Sequence, residues 1–341
     1  VVGRALLLPF VTALIVWYLI NALASGLRAV PLGSWRLPAL PALLIALVII
    51  FAAAMFVFDL VAANLTQLAR DAPGYQARLE QVFANLSEMA GLREPLQTRD
   101  LLPQTSLTQL VTQAASFITT MAGSASLVFI YVLFLLIEQS TFDRKYTALF
   151  ETPERAEAAF AIRAEINRRV LHYFGIKTAV SLATGLLTTS LLTLLGLPYA
   201  ALFGFIAFLL NYIPTIGSLI SVIFPGLLAL VFFDTYAPFL AISIGLGLIQ
   251  FMLGNLVEPR LMGSSLNLSG LVILLSLAFW GAIWGVTGMV LCVPLTVVIL
   301  IICAQIPQTR PIAVLLSADG NVGPPLQHRV TSATEPAPVR S

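Results

Sequence analysis

"SLLTLLGLPYAALFGFIAFLLNYIPTIGSLISVIFPGLLALVFF", residues 190–233, contains no Asp, Glu, Lys or Arg. A helix crossing a bilayer needs about 20 mostly apolar residues, because the hydrocarbon core is about 30 Å thick and a helix rises about 1.5 Å per residue. This stretch is long enough for two crossings. It is interrupted at "NYIPTIG", where Pro214 removes a backbone donor and Gly217 loosens the chain. In lipid, freed carbonyls must be satisfied by protein or by a wet cavity. The stretch therefore reads either as a discontinuous helix beside a pathway or as a tight turn between two spans.

Working outward, the same character holds from Thr178 to Thr309, where only Asp234, Glu258 and Arg260 are charged. The whole chain is 59% hydrophobic and 10% charged. Soluble domains carry about 25% charged residues, so the composition argues for a polytopic membrane protein. We expect an all-α transmembrane bundle of about seven to eight spans. Broken or re-entrant helices are expected in its C-terminal half, with amphipathic extramembrane helices elsewhere.

The segments follow from the pattern. A two-helix hairpin (1–65) is expected from apolar runs at 5–23 and 39–65, joined by a turn with Pro31, Gly33 and Pro38. The chain opens on Val1, so further residues are expected before it. "ALAS" resembles a signal-peptidase site after Ala24, but the run is longer than a usual leader core, so a retained helix is expected. Residues 66–114 form an amphipathic extramembrane segment. Leu79, Val82, Phe83, Leu86 and Met89 share one helix face there, with Pro73 at the start and Gly91 at the end. A span at 115–138 is followed by a polar segment, 139–172. Thr152 and Pro153 read as its N-cap and first helical position. Ala159, Ile162, Ile166, Val170 and Tyr173 give an apolar stripe, and Glu151–Arg155 and Glu165–Arg169 are favourably spaced ion pairs. Its excess of Arg and Lys places 139–172 in the cytoplasm by the positive-inside rule. That puts both 66–114 and the start of the chain outside. The transmembrane core is 173–306, and 307–341 is a polar tail, largely disordered, rich in Pro, Ser and Thr from Gly320 onward. Within the core, "WGAIWG" (280–285) splits 268–305 into two helices, and Gly281 with Gly285 makes a close-packing spacing.

Several activities are excluded by what the sequence lacks. There is no Gly-rich phosphate loop ending in Lys-Ser or Lys-Thr, no HExxH and no GxSxG. The two histidines, His172 and His328, lie in different kinds of segment. No metal, cofactor or enzymatic centre is expected. Cys292 and Cys303 sit in an apolar run and read as small buried hydrophobes. No basic stripe interleaved with aromatics indicates nucleic acid.

The polar exceptions in the core are the candidate site. Asn255 and Glu258 in "GNLVEPRLMG" (254–263) are three residues apart on one helix face. A buried charge in a membrane is costly, so Glu258 and Arg260 must pair, line water or reach the surface. Pro259 disfavours helical geometry at Glu258, so the helix is expected to end there, with Arg260 close enough to neutralise Glu258. Lys177 is one turn into a span and is expected to reach the surface.

"LGLPYAALFGFIAFLLNYIPTIGSLIS" (195–221) and "GNLVEPRLMGSSLNLSGLVILLSLAFWGAIWGVTGMVLCVPLTVVI" (254–299) resemble the bacterial autoinducer-2 exporter family. The tail "PQTRPIAVLLSADG" (307–320) is similar too. The resemblance covers about residues 3–320. It implies a multi-pass inner-membrane protein embedded in lipid, and a homo-oligomer, with a pentamer the expected size. It also implies functional or structural weight at Asn211, Pro214 and Gly217, at Asn255, Glu258, Pro259 and Gly263, and at Gly285, Gly288 and Pro294. Leu300 departs from the family pattern, which often has a basic residue there.

Three functions remain open on this reading. The first is secondary export of a small polar solute such as the quorum-sensing signal autoinducer-2, with Asn211, Asn255, Thr215 and Ser218 as neutral hydrogen-bonding partners and protons or sodium as coupling ions. The second is sodium or lithium/proton antiport, with Glu258 as the ion-binding carboxylate and Asp234 and Asp59 behind it. A fixed cation such as Arg260 would compete for that carboxylate. The third is a channel-like or scaffolding oligomer.

Overall fold

The structure is a computed structural model, and it describes residues 4–29, 37–89, 107–150, 152–263 and 266–323. Every regular element among them is helical. In chain order they are α1 (Arg4–Ala29), α2 (Ala39–Met89), α3 (Leu107–Thr147), α4 (Pro153–Leu194), α5 (Ala200–Leu210), α6 (Ile216–Phe232) and α7 (Tyr236–Phe251). A π-helical turn (Met252–Val257) joins α7 to α8 (Glu258–Met262), followed by α9 (Gly270–Trp284), α10 (Val286–Gln305) and α11 (Arg310–Leu316).

Among the described residues, six helical stretches are long and apolar enough to cross a membrane: Leu8–Ala29, Ala39–Val82, Ala125–Phe142, Arg155–Leu194, Tyr236–Met262 and Val286–Gln305. The chain is a multi-pass helical membrane protein. Three apolar helices are shorter, and they sit where broken helices are expected. The 11 residues of α5 reach about 16 Å and the 15 of α9 about 22 Å, both short of the apolar core. At 17 residues, α6 reaches about 25 Å.

The sequence-based boundaries differ from the structure in two places. Pro73 lies inside α2, which runs unbroken for 51 residues, instead of starting a helix. The polar tail contains α11, whose Arg310 donates to the carbonyls of Ala304 (3.2 Å) and Gly323 (2.6 Å). Asn267 ties 318–321 to the start of α9 by accepting from Ala318 N–H and donating to the Asn321 carbonyl. The expected helix end at Gly91, the turn residues Pro31 and Gly33, Glu151 and the tail beyond 323 lie outside the described residues.

The chain falls into two compact units. The first comprises Val1–Tyr18, Val128–Thr178 and Glu258–Ser341. In it α1 and α3 run parallel, because Phe10 meets Tyr131 edge-on at 5.7 Å and Trp17 Nε1 donates to Gln139 Oε1 at 3.0 Å. Thr152 caps α4 through Arg155 N–H at 3.4 Å. Glu165 accepts from Arg169 (2.6 Å) as the spacing predicts, and from Arg168 (2.7 Å) as well. The expected stripe of α4 turns inward, with Ala159, Val170 and Tyr173 buried.

The second unit comprises Leu19–Leu127 and Ala179–Val257. Its core gathers Val61 and Leu65 of α2, Leu192 of α4, Leu202 and Phe203 of α5, Ala229 of α6, and Ile242 and Leu246 of α7. Arg78 of α2 donates to the Phe232 carbonyl at 3.1 Å, satisfying one of the orphan carbonyls at the end of α6. Asp71 of α2 accepts from the Tyr199 hydroxyl, holding the residue that enters α5 at φ +60°.

Candidate functional site

In the second unit, the break in "NYIPTIG" is a turn between two short helices. Asn211 caps α5 in helical geometry, Thr215 takes φ +62°, and α6 begins at Ile216. A non-glycine residue at that φ is strained. The helices meet closely because Gly217 has no side chain: a Cβ there would lie 1.7 Å from the Leu210 carbonyl oxygen. Further along, Gly204 of α5 lies against Gly185 and Thr189 of α4, where an added Cβ would meet Thr189 Oγ1 at 1.8 Å.

That approach brings polar groups together inside. Asn211 is buried and donates from Nδ2 to Ser181 Oγ at 3.0 Å. Ser181, Thr184 and Thr188 follow at three- and four-residue spacing on α4 and are all buried, which places three hydroxyls on one helix face. A second polar chain runs from Gln250 of α7 to α6. Gln250 Nε2 donates to Ser221 Oγ at 2.6 Å, and Ser221 donates to the Ser218 carbonyl at 2.9 Å. Gln250 Oε1 is buried with no protein donor among the described residues. Buried polar groups are normally satisfied, so this oxygen marks a polar point in the apolar interior of the unit. Of the residues expected here, Asn211 and Gly217 are buried, Pro214 and Ser218 half-buried, and Thr215 exposed.

The first unit holds the charged feature. Glu258 pairs with Lys177 of α4, not with Arg260: Lys177 Nζ donates to Glu258 Oε1 at 2.6 Å, with side chains 6% and 16% exposed. Arg260 is exposed. Residues two apart on a helix point to different sides, which explains why Glu258 and Arg260 do not meet. Lys177 therefore does not reach the surface as expected; it is buried against a carboxylate 81 residues away.

The helix also does not stop at Pro259. It widens into the π turn at Met252–Val257, resumes at Glu258 and ends at Gly263, whose φ is +52°. A π turn shifts the hydrogen-bond register by one residue. Pro259 follows that shift directly, so its missing N–H falls where the ladder is already interrupted. Gly263 supplies the left-handed stop. Asn255 lies in the π turn and is exposed. The three-residue spacing that puts it on one face with Glu258 assumes a regular α-helix.

Gly281 packs closely against α10, where an added Cβ would meet Met289 side-chain atoms at 3.1 Å. Gly285 takes φ +63°, ψ −140° between α9 and α10, a conformation open to glycine. A tighter approach is at Gly288, where a Cβ would lie 1.9 Å from the Trp280 carbonyl oxygen. Pro294 is buried inside α10. The two helices are further joined by Thr296, which donates to Ser276 Oγ at 2.9 Å. Among the described residues no cluster of three metal-binding side chains occurs.

Sequence reasoning named Asn211 and Glu258 but not their partners. The signal for Ser181, Thr184 and Thr188 was present, as hydroxyls repeating with helical spacing in an apolar span. For Lys177 it was weaker: a cation placed next to the stretch that holds one otherwise unbalanced carboxylate.

The family model described as "AI-2E family transporter" matches residues 2–308. The chain is similar to "AI-2 transport protein TqsA" of Escherichia coli (strain K12), 34% identical over 316 residues, which cover 92% of this chain and 89% of that protein. It is also similar to "Putative transport protein YhhT" of the same strain, 31% identical over 259 residues, 75% of this chain and 73% of that one. With its helical membrane fold, broken core helices and buried polar groups, the chain belongs to the AI-2E family of transporters.

Proposed function

We propose that this protein is a secondary transporter that exports a small, uncharged, hydroxyl-rich solute of the autoinducer-2 type across a bacterial inner membrane. The observation that carries the reading is the buried Asn211–Ser181 hydrogen bond at the helix break. A neutral polyol is recognised by neutral donors and acceptors, because a site built to hydrogen-bond hydroxyls rejects analogues that lack them. Asn211, the α4 hydroxyls and Gln250 are of that kind. The similarity to "AI-2 transport protein TqsA" supports the same solute class. The homo-oligomer expected from the family resemblance is part of this reading.

The antiport alternative is less well supported. It needs Glu258 to exchange a proton for a metal cation, but the Lys177 ammonium already occupies that carboxylate. A cation must displace a buried charge partner before it can bind.

The test is efflux from proteoliposomes loaded with autoinducer-2. Loss of the signal faster than from protein-free vesicles supports the proposal. Equal rates, with an added sodium or lithium gradient collapsing an imposed pH gradient, would replace export with antiport. A steady conductance in a planar bilayer would indicate a channel.

A further inference from the structure

Within the second unit, α5 and α6 share the turn at 211–215, and the far end of each is held by the same helix, α2. At the entry to α5 the Tyr199 hydroxyl donates to the Asp71 carboxylate. At the end of α6 Arg78 donates to the carbonyls of Phe232 (3.1 Å) and Val231 (3.4 Å). Arg78 also lies 3.7 Å from Asp234, an exposed pair that adds little.

The anchor points match the lengths of the helices. With 11 residues in α5 and 17 in α6, α6 is longer by about 9 Å, and Asp71 and Arg78 are separated by about 10 Å along α2. Where it grips, α2 is charged, with Arg70, Asp71, Arg78 and Glu80. Where it is apolar, Val61 and Leu65 share one core with Leu202, Phe203 and Ala229. The two helices therefore fold back along α2, with both feet at its charged end and the turn toward its apolar half. That turn is strained. Thr215 takes φ +62°, and Gly217 lies against Leu210 with no room for a Cβ. Such a backbone persists only where its surroundings fix it.

We infer that the charged end of α2 is a strap that sets the position of the α5–α6 turn, which makes Asp71, Tyr199 and Arg78 positioning residues for Asn211. They act through the two helices and not by touching the solute. The effect on solute rests on the export reading proposed above; the strap itself does not.

Hydrogen exchange of the full-length protein in detergent, paired with efflux from proteoliposomes at graded autoinducer-2, tests the inference. Arg78→Ala and Tyr199→Phe are expected to speed exchange at 212–217 and to leave α10 unchanged. Both are expected to raise the apparent KM for autoinducer-2 about fivefold, the effect of one net hydrogen bond, with the maximal rate within about twofold of wild type. Arg78→Lys still offers a donor to Phe232 and should restore most of the wild-type KM. Tyr199→Phe removes only the hydroxyl and keeps the ring in the core, so it decides if Arg78→Ala does not yield monodisperse protein. Unchanged exchange at 212–217 in the folded variants would overturn the strap. Faster exchange with an unchanged KM and a lower maximal rate would overturn the positioning role. Wild-type efflux no faster than from protein-free vesicles would instead remove the export reading, and exchange alone would then decide the strap.

Discussion

Lys177 of α4 and Glu258 at the start of α8 form an ion pair of 2.6 Å whose two side chains are almost withdrawn from solvent. Removing one partner of such a pair strands a charge and costs about 3–5 kcal/mol, whereas replacing both with apolar residues is often neutral. Lys177→Met and Glu258→Gln alone are therefore expected to lower the thermal unfolding temperature in detergent, and Lys177→Met with Glu258→Leu to recover most of the loss. Additive losses in the double variant would show that the pair is not formed.

The glycines divide by what surrounds them. Gly217→Ala would place a Cβ against the Leu210 backbone, and Gly204→Ala would place one against Thr189 and the Gly185 carbonyl. Backbone atoms cannot move aside as a side chain can, so both variants should give little folded protein by fluorescence-detected size-exclusion chromatography. Gly175→Ala meets nothing within 4 Å and lies inside α4. It is expected to match or exceed wild type, by up to about 1 kcal/mol from helix propensity.

Arg310 ties the end of α10 to Gly323 through two carbonyls. Arg310→Ala should release that connection without disturbing the spans. Hydrogen exchange is expected to accelerate at 317–323 and stay unchanged in α10. Uniform exchange across the C-terminal region would contradict the assignment.

The fold was largely legible because lipid enforces it. Apolar length and the placement of polar breaks predict the helices, the turn at "NYIPTIG" and the division at Gly285, since a backbone in lipid has few alternatives to a helix. Proline was the weaker guide. Pro73 and Pro259 both read as boundaries, yet α2 continues through the first and a π turn absorbs the second. Whether a proline breaks a helix depends on where its missing donor falls in the hydrogen-bond ladder, which composition does not reveal. The site was legible only by halves. Asn211 and Glu258 stand out as polar residues in apolar surroundings, but Ser181 and Lys177 lie 30 and 81 residues away from them. Local spacing favoured Arg260 for Glu258 because it is the nearer cation in sequence; helix geometry points it elsewhere.

The central claim is that neutral polar groups buried at the α5–α6 break carry a small hydroxyl-rich solute. The most direct measurement is autoinducer-2 efflux from proteoliposomes of wild type, Asn211→Ala, Ser181→Ala and the double variant, each confirmed monodisperse before reconstitution. The account predicts that wild type exceeds protein-free vesicles, that each single variant slows efflux about tenfold, corresponding to about 1.4 kcal/mol for one lost hydrogen-bonding partner, and that the double variant is little slower than the worse single one. Wild-type efflux no faster than the vesicles alone, or an Asn211→Ala rate equal to wild type, would contradict it.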